Sequence, residues 1–477
     1  MSHMATLGLT LDTAELGRER ERLAREAAAL ARPRIWTDTI GALAGTAWRA
    51  IASAAPDAPL LLLTTAATAA GAPATGPLRT EPGAIAGAQR LVRRGGPAYI
   101  KLGQFIASAD GILPPAWVEA FAWCRDDAPR LPFETVLDVV TRELGEDALA
   151  VIDEHALAAG SIGQVHRAWL ADGTAVVVKV RRPGLRRRLR SDIGALALAA
   201  AGAERLTDAV GVLNLPGFVE LFAQLTLEEL DFRLEALNLV ESAAIYEDCG
   251  LDFVQVPRPI AGMVTERVLV MEHVAGVPYD RAAQELGADV DGERLLQVAI
   301  GGVLTSTLLH GLFHGDLHAG NVLVRRDGTF ALVDFGICGR LTTPQCQSLG
   351  AYLMAFAGGD AAGQIAALSR FGAIPPDADH AALVTELAAE LARLDQRADG
   401  AVTFQRLGDT VGRQLAILAR SGFRMPKPLV LFFKNLLYLS SFAAAIAPGA
   451  DLFTTIERAL ADLDADHAQA LAATLAA

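Results

Sequence analysis

The feature that most constrains the fold of this chain is a pair of short polar motifs in its second half. The first motif, HGDLHAGN, occupies residues 314–321, and the second, DFG, begins at Asp334, directly after an apolar run. Asp316 and Asn321 stand five residues apart, and Asp334 follows Asn321 by thirteen. A turn-capping role could explain either aspartate alone. Chance is a poor explanation for all three side chains at this spacing.

This is the spacing of the catalytic-loop Asp, the metal-binding Asn and the DFG Asp of protein kinases. We therefore predict that Asp316 is catalytic and lies near the phosphate acceptor, and that Asn321 and Asp334 are metal ligands. The predicted cofactors are ATP and Mg²⁺.

Lys179 is the second predicted catalytic residue. It lies in the run VVVKV at residues 176–180, where apolar neighbours on both sides indicate burial. A buried lysine needs an anion, and Glu235 on the following predicted helix is the natural partner. Lys179 would then hold the α- and β-phosphates of ATP. The alternative is an edge-strand lysine that points to water.

Small residues precede Lys179 in the sequence AAGSIGQV at residues 158–165. They come before a predicted β-hairpin that turns at Asp172-Gly173, and small residues let backbone N–H groups approach phosphates. The predicted phosphate-binding residues are Ala158, Ala159, Gly160, Ser161, Gly163 and Val165. A plain hairpin connection is the alternative.

A predicted strand that ends near residue 272 is typical of a kinase hinge. By analogy, Met271 is the predicted gatekeeper, while the Glu272 C=O and the Val274 N–H would meet the edge of adenine. The alternative is an ordinary strand end.

Composition narrows the class of protein further. Hydrophobic residues make up 52% of the 477 residues, which favours a folded chain, and the net charge of −13 makes a nucleic-acid partner unlikely.

One basic segment is an exception to the acidic composition. It is the run RRPGLRRRLR at residues 181–190, which we interpret as a solvated turn, with an anionic lipid or phosphate contact as the alternative. Four widely spaced cysteines suggest neither a disulfide framework nor a zinc site, and they fit a cytoplasmic location.

Two apolar segments fall short of a membrane span. The segment 40–72 is broken by Arg49 and by prolines, and the segment 429–447 contains Lys434 and Asn435. We interpret the second as a buried core helix. Peripheral membrane contact through the Ala-rich N-terminal part stays open.

The predicted fold class is α+β, with a two-lobed protein-kinase-like architecture and a helical C-terminal lobe. Its predicted divisions are an N-terminal helical extension (1–80), a further helical segment (81–150), an N-lobe with inserted helices (151–275) and a helical C-lobe (276–477). Helices are expected at 9–32 and 35–75 in the extension.

Several motifs between residues 85 and 345 resemble the AarF/UbiB family of atypical kinases. KLGQ at residues 101–104 resembles the KxGQ signature of that family, and Glu229-Leu230-Asp231 resembles its ExD motif. SIGQVH at residues 161–166 resembles the end of its Ala-rich loop. Gly160 departs from the family, which usually has Ala there.

The resemblance implies KxGQ helices that lie across the active site and gate it through Lys101, Gln104, Glu229 and Asp231, with Lys101 near both carboxylates. It also implies an ATPase or small-molecule kinase that exchanges ATP and ADP. The acceptor would be a small molecule or an isoprenoid lipid, in quinone, isoprenoid or specialised metabolite biosynthesis. A nucleotide-gated scaffold is the rival hypothesis, and a true protein kinase ranks last because no Ala-Pro-Glu segment follows DFG. A homodimer stays open.

Overall fold

In a computed structural model of the chain, the residues described are 9–31, 85–86, 89–90, 92–93, 97–107, 115–124, 130–206, 215–287, 290–396, 404–420, 426–463 and 465–476. The helix expected at 35–75 lies outside them. The chain divides into two compact units. The N-terminal unit consists of Ser2–Ala236 and Pro259–His273, and the C-terminal unit includes Leu237–Arg258 and Val274–Ala477.

The helices and strands follow one another in the mixed order expected of an α+β protein. The helices are α1 (Thr13–Ala31), α2 (Pro97–Ala107), α3 (Pro115–Phe121), α4 (Phe133–Leu144), α5 (Leu185–Leu206), α6 (Leu215–Glu228), α7 (Phe232–Asp248), α8 (Tyr279–Leu286), α9 (Gly292–Leu308), α10 (Thr343–Ala357), α11 (Ala361–Arg370), α12 (His380–Gln396), α13 (Phe404–Arg420), α14 (Lys427–Ile446), α15 (Leu452–Ala461) and α16 (Ala465–Ala476). The strands are β1 (Val151–Ala159), β2 (Gly163–Trp169), β3 (Ala175–Arg181), β4 (Val254–Gln255), β5 (Pro259–Val264), β6 (Val268–Glu272), β7 (Val277–Pro278), β8 (Leu312–His314), β9 (Val322–Val324), β10 (Phe330–Leu332) and β11 (Cys338–Arg340).

The N-terminal unit contains a five-stranded antiparallel sheet in the order β1-β2-β3-β6-β5. Side chains alternate between the two faces of a strand. Val176, Val178 and Val180 of β3 are fully buried, and they form one core cluster with Val136 and Val140 of α4. Lys179 therefore occupies the face of the sheet opposite to α4.

The C-terminal unit holds two small sheets and a large helical part. The strand order is β4-β10-β9-β7 in the first sheet, and β8 pairs with β11 in the second. Helix α14, which packs against α8 and α13, is long and apolar enough to cross a membrane by length and composition alone. However, 56% of its most apolar window is buried inside the protein.

Three sequence interpretations need correction. Strands β1 and β5 were not expected, because their exposed positions break the apolar alternation that predicts a strand. Ala158 and Ala159 consequently end β1 and do not lie in an open loop. The arginine run at 181–190 is not a solvated turn. It leads into α5, and three of its arginines, Arg181, Arg186 and Arg190, form ion pairs with Glu19, Glu26 or Glu266.

Gly163 begins β2 where that strand approaches β3 closely. A Cβ atom on Gly163 would lie 2.7 Å from the Val180 carbonyl oxygen, whereas one on Gly160 would meet nothing closer than the Gly163 oxygen at 3.8 Å. Gly160 also lacks a left-handed φ. The fold therefore requires glycine at 163 and accepts alanine at 160.

We expect Gly163→Ala to lower the free energy of unfolding by roughly 1–3 kcal/mol, because backbone must move to admit the methyl group. Gly160→Ala is the matched control and should change it by less than about 1 kcal/mol. Urea unfolding of both variants measures the difference. Equal stability of the two variants would show that the close approach at Gly163 does not constrain the fold.

Candidate nucleotide-binding and catalytic site

Lys179 and Glu235 form a buried ion pair in the N-terminal unit. The Lys179 Nζ lies 2.8 and 2.9 Å from the two carboxylate oxygens of Glu235, and the side chains are 11% and 3% exposed. The centroid of the Phe232 ring lies 5.4 Å from the same Nζ. Strand β3 supplies the lysine and the first turn of α7 supplies the carboxylate. The sequence-predicted partnership is thus present, while its role in phosphate binding stays a prediction.

Several residues predicted to surround the nucleotide share one face of the sheet, whereas Ala159 pairs with Gln164 and lies on the other. Ala158 pairs with Val165, Val165 with Lys179, and Lys179 with Leu269 across four neighbouring strands. Paired residues of neighbouring strands project from the same face. Lys179 is therefore continuous with a strip of small and apolar side chains of the kind that could cover a nucleotide.

The predicted hinge residues lie at the end of β6. Met271 is buried and pairs with Val177, so it shares the face of Lys179. Glu272 and Val274 are half-buried on either side of His273. Their contact with adenine stays a prediction.

The predicted phosphate loop is a tight turn between β1 and β2. The Gly160 N–H donates to the Gly163 carbonyl at 2.9 Å, and the Arg182 Nε donates to the Gly160 carbonyl at 3.0 Å. Ser161 is buried, and its hydroxyl donates to Gln104 Oε1 at 3.1 Å. The loop is therefore fixed from two sides.

The KxGQ segment lies on α2, within the same unit. Gln104 also donates through Nε2 to the Cys124 carbonyl at 2.9 Å, and Lys101 makes an ion pair with Glu229. Asp231 was expected to lie near Lys101 together with Glu229. Its carboxylate instead accepts hydrogen bonds from Arg233 at 2.7 and 3.0 Å. An arginine two residues away reaches a carboxylate in bidentate geometry, which a lysine ammonium cannot match.

In the C-terminal unit, hydrogen bonds close the loop that carries Asp316 and Asn321. The loop runs from β8 to β9. The Asn321 Nδ2 donates to the Asp316 carbonyl at 2.9 Å, and the Val333 N–H donates to the Asn321 carbonyl at 3.0 Å. The second bond places Asp334, the next residue, beside Asn321. His318 caps the loop by accepting the Gly320 N–H, which is a structural role.

His314 is the buried support of this loop. Its Nδ1 accepts the Asp316 N–H at 3.0 Å, so Nε2 carries the proton and donates to the Val333 carbonyl at 3.0 Å. Burial lowers the pKa of His314, which favours this neutral tautomer. The ring packs edge-on against Phe335, 4.6 Å between centroids, and Phe335 is fully buried. The Phe335 carbonyl accepts from Asn238 of α7 at 2.8 Å.

Asp334 is the one non-glycine residue with a positive φ, 60°, in the described part of the chain. Such backbone conformations are strained and cluster at functional sites. The Val333–Asn321 hydrogen bond joins the backbone segments that carry Asn321 and Asp334. Asn321 supplies an amide oxygen and Asp334 a carboxylate, and Mg²⁺ prefers oxygen ligands of this kind. The donor set therefore fits the predicted metal.

Lys434 is a site residue that the sequence interpretation missed. It lies on α14, and its Nζ is 2.7 Å from Asp316 Oδ1, while the Tyr438 hydroxyl is 3.4 Å from the same oxygen. Burial would lower the pKa of Lys434, but the negative charge of Asp316 outweighs it and the pKa is raised. The available signal was a lysine in the middle of an otherwise apolar helix.

The fold and these two sets of side chains define a protein-kinase-like protein. Residues 124–368 match the family described as the ABC1 atypical kinase-like domain, and the chain belongs to that family.

Several relatives support the same assignment. An uncharacterized protein of Mycobacterium tuberculosis is 36% identical over 366 residues, which cover 74% of this chain and 72% of the relative. An uncharacterized aarF domain-containing protein kinase of Arabidopsis thaliana, described as chloroplastic, is 31% identical over 389 residues, covering 76% and 72%. A probable protein kinase UbiB of Azotobacter vinelandii is 28% identical over 367 residues, covering 76% and 67%. The resemblance to the AarF/UbiB family is confirmed.

Among solved structures, a Mycobacterium tuberculosis protein in complex with erythromycin is similar to this chain. The identity is 22% and the TM-score is 0.42, with 73% of this chain and 91% of that chain covered.

We expect Glu235→Ala to destabilise the fold by roughly 3–5 kcal/mol, because it removes the carboxylate that holds a buried lysine charge. Replacing both partners, as in Lys179→Met with Glu235→Leu, should recover most of that loss. Urea unfolding of the single and double variants measures the coupling. If the single variant is as stable as the parent, the ion pair does not hold α7 on β3.

We expect Lys434→Met to reduce ATP turnover at least tenfold, because it removes the positive charge that fixes the Asp316 carboxylate. Mg-ATP affinity should stay within about twofold, since the Lys434 ammonium donates to Asp316, which is not a predicted metal ligand. Lys427→Met, at the first turn of the same helix, is the matched control. Unchanged turnover in a folded Lys434→Met protein would remove Lys434 from the site.

Proposed function

We propose that this chain is an ATP- and Mg²⁺-dependent atypical kinase or ATPase that acts on a small or lipid-like acceptor. The observation that carries the proposal is the loop of the C-terminal unit, where hydrogen bonds hold Asp316 and Asn321 together and Asp334 keeps a strained backbone beside them. Membership of an atypical kinase-like family supports the same chemistry.

In this proposal each side chain has one role. Lys179 holds the α- and β-phosphates of ATP, and Glu235 keeps the ammonium in place. Asn321 and Asp334 hold Mg²⁺, which when bound neutralises phosphate charge. Asp316 accepts the proton of the attacking hydroxyl or water, and Lys434 fixes the orientation of its carboxylate.

A lipid-like acceptor is supported by an apolar cavity of about 170 Å³ in the C-terminal unit. Leu436 and Leu439 of α14 line it, and both also line a smaller cavity together with His314 and Leu317 of the loop that carries Asp316. A peptide acceptor is disfavoured, because α10 begins at Thr343, shortly after the DFG motif, and leaves little room for a peptide-binding segment. We propose an acceptor from quinone, isoprenoid or specialised metabolism, met in the cytoplasm or at a membrane surface.

A nucleotide-gated scaffold is the second candidate, and a contact in the N-terminal unit favours it. The Ser161 hydroxyl donates to Gln104, so the phosphate loop and the KxGQ helix are directly bonded. A nucleotide that moves the loop would therefore also shift α2 through this hydrogen bond. The scaffold differs from the enzyme in needing no turnover.

ATP turnover separates these candidates. The full chain would be assayed for phosphate release and product mass with and without detergent-solubilised isoprenoid alcohols and phenols, beside a peptide acceptor. Turnover that rises with the lipid-like compounds is the expected result. Binding of Mg-ATP with no turnover under any condition would favour the scaffold, and peptide phosphorylation alone would favour a protein kinase.

We expect Asp334→Asn to weaken Mg-ATP binding at least tenfold, because it removes the negative charge of a metal ligand. Asn also tolerates a positive φ, so the substitution leaves the backbone preference intact. Calorimetric titration with Mg-ATP measures the effect. Asp327→Asn, in the exposed turn between β9 and β10, is the control. Unchanged affinity in Asp334→Asn would contradict the metal assignment.

We expect Lys101→Ala to loosen α2 and to change nucleotide selectivity or allow autophosphorylation, because the ion pair with Glu229 is lost. Glu229→Gln should act in the same direction. Arg142→Ala, which breaks an exposed ion pair on α4 of the same unit, is the control and should do neither. ADP and ATP affinities and phosphate incorporation would be measured. If Lys101→Ala matches the parent in both, Lys101 has no gating role.

A further inference from the structure

Three side chains of kinds that can ligate transition metals lie close together in the C-terminal unit, and none of them belongs to the loop that carries Asp316 and Asn321. Cys249 directly follows α7, His310 follows α9, and His467 lies in α16. One ligand atom from each, a thiol sulfur and two ring nitrogens, lies within 4.8 Å of the others. The Cys249 Sγ is 3.4 Å from the His310 Nε2.

The Cys249–His310 distance is close to that between two ligands of a tetrahedral zinc centre. With Zn–S of about 2.3 Å and Zn–N of about 2.0 Å, sulfur and nitrogen ligands lie roughly 3.5 Å apart. The observed Cys249–His310 separation meets this value. One sulfur and two imidazoles also form a donor set that favours Zn(II) over the oxygen-seeking Mg²⁺.

We propose that Cys249, His310 and His467 bind one Zn(II) ion. On binding, the Cys249 thiol loses its proton to solvent and a Zn–S bond forms, while each imidazole binds through a neutral ring nitrogen. Cys249 is buried, whereas His310 is exposed. The ion therefore has a path from solvent, and the fourth coordination position is open to water.

The local backbone holds Cys249 in position. The Cys249 N–H donates to the Ile245 carbonyl at 2.9 Å, and the Leu251 N–H donates to the Tyr246 carbonyl at 2.9 Å across Gly250, whose φ is +64°. A glycine in the left-handed backbone conformation therefore ends helix α7, as is common at helix C-termini. Asp248, the residue before Cys249, brings a negative charge near His310.

The proposed ion would join three segments that are far apart in sequence. It would tie the end of α7 to the loop after α9 and to the last helix, α16. Binding to the folded state alone stabilises a protein by mass action. We therefore expect Zn(II) to raise the unfolding temperature of the chain.

The test uses the full chain without a polyhistidine tag, stripped with a chelator and then titrated with Zn(II) against a chromophoric competitor. We expect one equivalent per chain. Co(II) should occupy the same site and give a thiolate-to-metal charge-transfer band, with the intense visible bands of tetrahedral Co(II). This spectrum needs no variant. Its absence, together with a lack of stoichiometric Zn(II) binding, would overturn the proposal.

Variants then identify the ligands. Cys249→Ser should abolish the charge-transfer band, and His467→Ala should weaken Zn(II) binding at least tenfold. Cys346→Ser, at another buried cysteine, and His155→Ala, at an exposed histidine of β1, are the matched controls and should bind as the parent does. Circular dichroism verifies that each variant is folded. Stoichiometric binding that survives both ligand variants would place the ion elsewhere and overturn the assignment.

Discussion

The buried pair of Lys179 and Glu235 is the interaction on which the N-terminal unit depends. Strand β3 uses its valines to pack one face of the sheet on α4, and the same alternation forces the Lys179 ammonium to the other face, away from bulk water. A buried charge is costly without a counter-charge. Helix α7 must therefore begin where Glu235 can reach Lys179. The position of this helix is set by electrostatics as much as by apolar packing.

In the C-terminal unit, side-chain to backbone hydrogen bonds stabilise the loop that carries Asp316 and Asn321 and the strained backbone at Asp334. Both ring nitrogens of His314 form hydrogen bonds with backbone groups. The side-chain Nδ2 and the main-chain carbonyl of Asn321 do the same. Backbone hydrogen bonds of this kind fix main-chain geometry and leave carboxylates to do chemistry. Asp334 keeps a positive φ because the residues on both sides are bonded in place, Val333 to Asn321 and Phe335 to Asn238. The neighbours on both sides thus hold the backbone of Asp334 in this conformation.

The sequence predicted the parts of the site that are local in the chain. The DFG spacing, the hairpin of Lys179 and the helix of Glu235 all depend on neighbours within a few residues or on a strong family signature. Contacts over long separations were predicted where a kinase or family signature names both partners, as for Lys179 with Glu235 and Lys101 with Glu229. No such signature names Lys434, which contacts Asp316 from 118 residues away. The family resemblance implies that Lys101 lies near Asp231 as well as Glu229, but the motif does not show that Arg233 binds the Asp231 carboxylate in bidentate geometry.

Gly160 stands where the family usually has alanine, and the fold shows what does not require glycine there. Its φ is not left-handed and its missing Cβ faces no close atom, so neither strain nor crowding in the folded protein requires glycine. Gly163, three residues later, is required for packing. Any advantage of glycine at 160 must then come from what approaches the loop. A phosphate oxygen bound by backbone N–H groups is the kind of ligand for which a single methyl group matters.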